Sequence, residues 1–449
     1  MNKTFSATAR GWIDGSTQSP AASAFRAAAT LVSFPYASVV RLRGRLYDAG
    51  ILRSFPAPRP TISVGNLTLG GVGKTPFVGW LAEYFLQTGQ TPGLISRGYQ
   101  AERQRRLFAR LDAESSAAPF AQTARFPESS PSSPPLCPLE TTRFSRFLQF
   151  NDEARELALR LPRTPHFLGP NRVEVASALV EARPDVDVLL LDDAFQHRRI
   201  RRDLNVVLLD ALNPFGGGRV FPAGFLREPL SGLARADAVL LNRADLVSQR
   251  TRDAIQERVR RLAPLALFAE IAQIPRFVYS RVSSAVPANA ANPSTAQNGQ
   301  TPPDDVDESN EKSENNDNSE RADVRTLFRE DFDAWAASRR GGRFVAFCGL
   351  GAPAGLRKTL ENNDLTPSSF VAFPDHRAYE ASDFATLAAE AQRVDAEAFL
   401  TTTKDFVKWN APKLGGRPIF ALGIGVEFLS GEAEFRALLA KRFPGSDRR

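Results

Sequence analysis

The stretch Gly70-Gly71-Val72-Gly73-Lys74-Thr75-Pro76 gathers three glycines, a lysine and a hydroxyl residue into one short loop. Such glycines let backbone N–H groups converge on an anion at a helix N-terminus. A lysine there reaches the β- and γ-phosphates of a nucleotide, and the Thr75 hydroxyl is of the type that ligates magnesium. The full spacing G-x-x-x-x-G-K-S/T would need a glycine at position 68; the chain has Thr68, so this is the variant G-G-x-G-K-T. Lysine is scarce, with eight in the whole chain, and its presence in this loop is informative for that reason. Magnesium beside a phosphate loop is normally held by an acid at the end of a neighbouring strand. Asp192-Asp193, directly after the apolar run 188–191, supply it. A strand-end aspartate can also cap a helix, but two adjacent acids in a chain with this loop suit the metal better.

These groups need a scaffold, and the pattern around them provides one. Short apolar runs at 61–64, 93–96, 186–191, 204–209 and 238–241 alternate with helical patterns at 75–85, from 152, and around 173–182. Largely apolar strands separated by helices predict a parallel sheet covered on both faces. The alternation resumes with strands near 344–347, 370–373, 399–402 and 419–422. The fold class predicted is α/β: a P-loop NTPase-like parallel sheet domain over 55–283 and a second, smaller α/β domain over 324–449. Residues 113–138 are rich in Ser, Pro and Ala, and 284–323 in Asn, Ser, Pro and acid. Neither carries enough periodic apolar residues to offset the entropy of ordering, so both are expected to be flexible insertions, the second a linker.

The chain has 449 residues, 57 Lys+Arg against 50 Asp+Glu, and a net charge of +7. That sum hides an uneven distribution. Residues 1–60 carry +6, residues 304–320 carry eight acids against Lys312, and the chain without that acidic block carries +14. A basic body implies an anionic partner: nucleic acid, a phosphorylated metabolite or an anionic lipid surface. Two distant cysteines, Cys137 and Cys348, exclude a disulfide framework or a cysteine zinc site and fit a reducing compartment. No run of 18 apolar residues and no compact signal-peptide core are found, so the expectation is a protein that stays in the cytoplasm.

Beyond the phosphate loop, several blocks resemble the tetraacyldisaccharide 4′-kinases, which phosphorylate a lipid A precursor at the cytoplasmic face of the inner membrane. The matching pieces are Val64 through Pro76, Ile95-Ser96-Arg97-Gly98-Tyr99, Asp152-Glu153 and Asp192-Asp193-Ala194-Phe195-Gln196-His197. They continue with Gly218 through Pro229, Phe347-Cys348-Gly349-Leu350-Gly351, Asp375-His376 and Thr402-Thr403-Lys404-Asp405, in the family's order. The resemblance implies transfer of the γ-phosphoryl of magnesium ATP to the 4′-hydroxyl of a tetraacyldisaccharide 1-phosphate. It implies nucleotide binding by Gly70, Gly71, Val72, Gly73, Lys74, Thr75 and Pro76, and metal binding by Thr75, Asp192 and Asp193. By the same resemblance Asp152 orients or deprotonates the acceptor alcohol with help from His376, a carboxylate and imidazole being a plausible proton relay. Taken from the residues alone, Asp152 reads as the N-cap of a helix over 153–161 and His376 as a surface histidine. Arg227 and Glu228, in a proline-bounded loop, are implied beside nucleotide and acceptor, with Lys74 and the Arg227 guanidinium neutralising phosphate. Arg97 is implied to face phosphate too, and Gln196 and His197 to pack behind Asp193. Where the family has glycine before the Asp-Glu pair, this chain has Asn151, a residue that tolerates left-handed backbone.

Residues 25–52 mix apolar side chains with Arg26, Arg41, Arg43 and Arg45, and Pro35 divides them, predicting a helix over 37–49 within a membrane-associating segment 1–54. A basic amphipathic helix can lie on an anionic leaflet or pack on its own domain; a lipid substrate favours a peripheral place at the membrane. Three other readings compete. A switch or partitioning NTPase shares the loop variant but usually has a lysine before its first glycine, where this chain has Leu69. Asn242-Arg243-Ala244-Asp245 resembles a guanine-reading N-K-x-D pattern with arginine in place of lysine, and reads better as a strand-end turn. A nucleic-acid module rests on charge alone, with no reader motif.

Overall fold

The computed structural model describes residues 11–13, 17–97, 152–283, 325–350, 353–374, 377–408 and 413–445. The proposed insertions at 113–138 and 284–323 lie outside the described residues, as does His376.

In chain order the elements are α1 (Pro20–Asp48), β1 (Thr61–Asn66), α2 (Lys74–Gln87), β2 (Pro92–Ser96), α3 (Asp152–Arg160), β3 (His166–Leu168), α4 (Arg172–Ala182), β4 (Val188–Asp192), β5 (Leu204–Asp210), β6 (Ala238–Asn242), α5 (Gln249–Leu262) and β7 (Leu267–Ser283). Then follow β8 (Arg325–Asp331), α6 (Phe332–Arg339), β9 (Phe344–Cys348), α7 (Pro353–Glu361), β10 (Ser369–Ala372), α8 (Ala381–Arg393), β11 (Ala398–Thr402), α9 (Thr403–Phe406), β12 (Lys413–Leu414), β13 (Arg417–Ser430) and α10 (Glu432–Arg442). One continuous sheet runs β10-β9-β11-β13-β7-β6-β5-β1-β4-β2-β3. It is parallel on both sides of a long antiparallel pair, β7 with β13. Every residue of β1, β2 and β6 is buried, as strands covered on both faces must be.

The chain passes from β1 outward to β2 and β3, returns to β4 on one side of β1, and crosses to β5 on the other. The strand order therefore reverses around β1, and in open parallel sheets that reversal leaves a crevice at the carboxyl ends where ligands bind. β9 is flanked in the same manner by β10 and β11. The two halves share more than a sheet: Phe435 of α10 packs on Phe77 and Trp80 of α2, so the last helix closes the core under the phosphate loop.

Two features differ from the sequence expectation. The N-terminal helix is one 29-residue element with Pro35 inside it, where the sequence predicted a break and a helix over 37–49. Proline removes the bond to the carbonyl four residues back and crowds that carbonyl. Here Pro35 and Leu31 lie on the exposed side, where that carbonyl need not be paired within the protein. The second is the long β7, whose alternation is interrupted by Pro275. A register shift against β13 at this point leaves Arg276 as an extra residue, and a bulge is where a sheet accepts proline.

Candidate active site

β1 ends at Gly65 and Asn66. A Cβ on Gly65 would lie 2.5 Å from the Cβ of Phe195, so only glycine lets the turn after β4 press against β1. That turn carries Asp193 in a left-handed conformation, φ 50°, and brings its carboxylate to the loop. Lys74 Nζ lies 3.2 Å from Asp193 Oδ1 and donates to Asn66 Oδ1 at 3.0 Å. Arg227 Nη1 contacts both Asp193 oxygens, at 2.8 and 2.9 Å. Arg227 reaches this point because its loop is stitched to the phosphate loop: Arg227 N donates to Leu67 O and Leu69 N to Phe225 O, both at 2.7 Å. The structure thus brings together Lys74, Asp193 and Arg227, three residues singled out from sequence.

Asp192, the last residue of β4, and Asp193 have opposite electrostatics. Burial pushes Asp192 up to about 6, against the pull of Lys74. Burial also acts upward on Asp193, but Lys74 and Arg227 outweigh it and hold that carboxyl at about 2. Asp193 therefore stays ionised and keeps both cations in place. Asp192 Oδ1 is enclosed without a hydrogen-bond partner, as suits a carboxylate oxygen whose partner is a cation. Among the described residues no group of three or more His, Cys, Asp and Glu is placed to hold a metal. A magnesium ion on Asp192 and Thr75 would draw its remaining ligands from phosphate and water, its usual habit.

The carbonyls of the phosphate loop are braced by residues that sequence reasoning assigned elsewhere or missed. Asn242 Nδ2 donates to Val72 O at 2.8 Å, Arg243 Nη2 to Gly71 O at 3.2 Å, and Gln273 Nε2 to Gly73 O at 3.3 Å. Gly73 has φ +73°, and a Cβ there would fall 1.7 Å from Gln273 Nε2. The Asn242-Arg243 pair, which resembles a guanine reader, serves here as a prop under the loop. It is followed by a 3₁₀ turn at Ala244–Leu246. Gln273 carried no signal, since it is an isolated residue 200 positions from its partner.

Glu228 is buried and paired with Arg235 Nη2 at 2.9 and 2.7 Å. Gln196 Nε2 donates both to Glu228 Oε1 and to Asn66 O, at 2.9 Å each. Glu228 thus anchors the turn behind Asp193. His197 lies in the same turn, pushed down to about 4 by burial and then by Arg172 and other nearby arginines. Arg97 is exposed just beyond β2.

Asp152 is the first residue of α3 rather than its N-cap and is almost wholly buried. Its Oδ2 lies 3.3 Å from Lys408 Nζ, a contact that joins it to the far half of the sheet. His376 falls outside the described residues; the chain on either side is fixed by Phe373 N donating to Cys348 O at 2.8 Å and Arg377 N to Pro374 O at 3.1 Å.

The family model for tetraacyldisaccharide-1-P 4′-kinase matches residues 25–120 and 134–444. The chain belongs to that family. The interruption in the match falls within the Ser- and Pro-rich stretch. A tetraacyldisaccharide 4′-kinase of Anaeromyxobacter dehalogenans strain 2CP-C is 32% identical over 413 residues, covering 91% of this chain and 89% of the relative. The enzyme of the same name from Desulfatibacillum aliphaticivorans is 30% identical over 398 residues, covering 89% and 88%. A crystal structure of the family's LpxK from Aquifex aeolicus, in complex with ATP, shares the fold with a TM-score of 0.57 at 23% identity, covering 93% of this chain and 99% of that one.

Proposed function

We propose that the crevice at the end of β1 binds ATP through residues 70–76, and that Asp152 prepares the 4′-hydroxyl of a tetraacyldisaccharide 1-phosphate for attack on the γ-phosphorus. By family the protein is an ATP-dependent tetraacyldisaccharide 4′-kinase of lipid A biosynthesis. The observation that carries the assignment of roles is the Lys74–Asp193–Arg227 cluster at the strand-order reversal.

Phosphoryl transfer asks a protein for positioning and charge neutralisation more than for covalent chemistry. Lys74 and Arg227, already held by Asp193, supply positive charge to the β- and γ-phosphates without moving far. Glu228, through Gln196, fixes the turn that presents Asp193. Asp152 accepts or orients the acceptor proton, with His376 as its partner. Asp192 and Thr75 are the residues to hold magnesium, which when bound neutralises phosphate oxygens as charge develops.

The acceptor's acyl chains place the reaction at a bilayer, and α1 supports that. Leu31, Phe34, Val39 and Leu42 are 57 to 72% exposed, an apolar outer face beside Arg41 and Arg45. Its inner face is tied to the site: Tyr36 Oη donates to Arg227 O at 3.2 Å, Arg43 Nη1 to Gln196 O at 3.3 Å, and Arg219 Nη1 to Thr30 Oγ1 at 3.3 Å. No described helix is long and apolar enough to cross a membrane. A helix lying on the cytoplasmic leaflet would bring Arg227 to the headgroup level.

The test is direct. Purified protein given labelled ATP, magnesium and the acylated disaccharide 1-phosphate should produce a bisphosphorylated lipid. Hydrolysis of ATP without transfer would instead mark a switch-type NTPase.

A further inference from the structure

One block that matches the family, Thr402-Thr403-Lys404-Asp405, has no task in the reaction as described above. In the structure this block and the turn after it meet α3 almost residue by residue. Thr403 Oγ1 donates to Glu156 Oε1 at 2.8 Å. Lys404 Nζ lies 4.0 Å from Glu153 Oε1, and Val407 O accepts from Arg155 Nη1 at 3.3 Å. At the end of the series Lys408 Nζ stands 3.3 Å from Asp152 Oδ2 and 3.3 Å from Asp405 Oδ1. These three side chains are 6%, 2% and 0% exposed, in the order Lys408, Asp152, Asp405.

Asp405 is itself locked. Its Oδ2 accepts from Gly349 N at 3.0 Å, at the end of β9, and from Thr402 Oγ1 at 2.9 Å. A Cβ on Gly349 would lie 3.0 Å from Asp405 Oδ1 and 3.2 Å from Pro374 O. The carboxylate therefore sits where β9 meets the chain leading into Asp375-His376. One buried ammonium thus joins the helix bearing Asp152 to the strand ends of the other half.

We infer that Lys408 is a positioning residue of the kinase, fixing the Asp152 carboxylate against Asp405 so that both halves of the sheet determine where the acceptor is activated. This rests on the reading of Asp152 as the acceptor-handling group. The residue type fits the task. An ammonium is a compact charge with three rotatable donors, able to bridge carboxylates on two sides, where a guanidinium presents a planar fork. The chain has eight lysines among 57 Lys+Arg, and it spends one of them here.

The experiment is steady-state transfer from ATP to the tetraacyldisaccharide 1-phosphate by the full-length parent and by Lys408→Met, which keeps an unbranched chain one atom shorter and removes the charge. Misplacing a reacting group by an ångström can cost about a hundredfold, so kcat per folded molecule is expected to fall by roughly that factor. The KM for ATP, set by the phosphate loop, should stay within about twofold. Lys408→Arg should recover part of kcat, since it restores charge without the same geometry. A lysine that merely stabilises the fold would lower the melting temperature and leave kcat per folded molecule intact, and that result overturns the inference. If Lys408→Met does not fold, Lys408→Met combined with Asp405→Asn removes one charge of each sign; unchanged kcat in it overturns the inference equally. Absence of transfer by the parent defeats the functional reading instead, so the two failures are distinct.

Discussion

Lys74 and Lys408 each stand among carboxylates at the ends of parallel strands, one beside β1 and β4, the other beside β9 and β11. The two sites are built inversely. At the first, one carboxylate, Asp193, is gripped by two cations, and the side chains keep 13% and 28% exposure for Lys74 and Asp193. At the second, one cation is gripped by two carboxylates and none exceeds 6%. A partly open pair is held less firmly than a sealed one, so its cations can be lent to a phosphate at smaller cost. A sealed pair that loses one member costs about 3 to 5 kcal/mol, and so it holds geometry. Exposure separates the site that handles ligand from the one that positions a residue.

The sharpest way to break this contrast is Lys74→Ala. Loss of a preorganised cation from the transferring phosphate should lower kcat/KM for ATP by about a thousandfold or more. The melting temperature should fall by less than it does in Lys408→Met, because this pair is less enclosed. If Lys74→Ala destabilised the fold as much as Lys408→Met, the two clusters would not differ in kind.

The contrast also explains what could be read in advance. The phosphate loop and Asp192-Asp193 are contiguous motifs whose chemistry is carried by residue type, so their place at the end of β1 and β4 was legible. The parallel strands were legible because burial on both faces demands apolar runs. Asn242, Arg243 and Gln273 were not, because bracing a backbone carbonyl requires only a donor at the right place, and any polar residue far away in sequence qualifies. β7 was hidden by Pro275, and the long helix α1 by treating Pro35 as a break although it lies on an exposed face. Lys408 was illegible for a further reason: its meaning lies in two partners, Asp152 and Asp405, one of them more than two hundred residues away.

Asp192 sharpens the comparison from within the open site. Burial raises its folded pKa to about 6 from an ordinary 3.8, so between those values the folded state binds more protons than the unfolded one. Stability therefore falls as pH rises through that window and stays reduced above it. Asp192→Asn removes the penalty, worth at most about 3 kcal/mol for a shift of this size. Without magnesium and nucleotide, the variant should melt several degrees higher than the parent at pH 7.5, and the gain should vanish below about pH 4. Asp193 has the reverse sign: held at about 2, its contribution is present above the ordinary carboxylate range and is lost as pH falls from about 4 towards 2. Equal melting of Asp192→Asn and parent at both pH values would mean that Asp192 bears no burial penalty.

The helix α1 is a third case, exposed and apolar, and it yields the smallest effect. Phe34 and Leu42 are 65% and 57% exposed, so replacing both by serine removes little from the folded core. The melting temperature should hold. If the outer face lies on the leaflet, the same change removes apolar area from the bilayer, and partitioning onto vesicles containing anionic phospholipid should weaken by about tenfold. Transfer to acceptor dispersed in detergent should be unaffected, whereas transfer to acceptor embedded in vesicles should slow in proportion to the lost binding. The pair of assays separates interface from chemistry, because Tyr36 and Arg43 on the inner face still hold Arg227 and Gln196 through their backbone carbonyls. A loss in detergent as large as that on vesicles would show that α1 serves the site's geometry alone, and would move this helix to the same side of the comparison as Lys408.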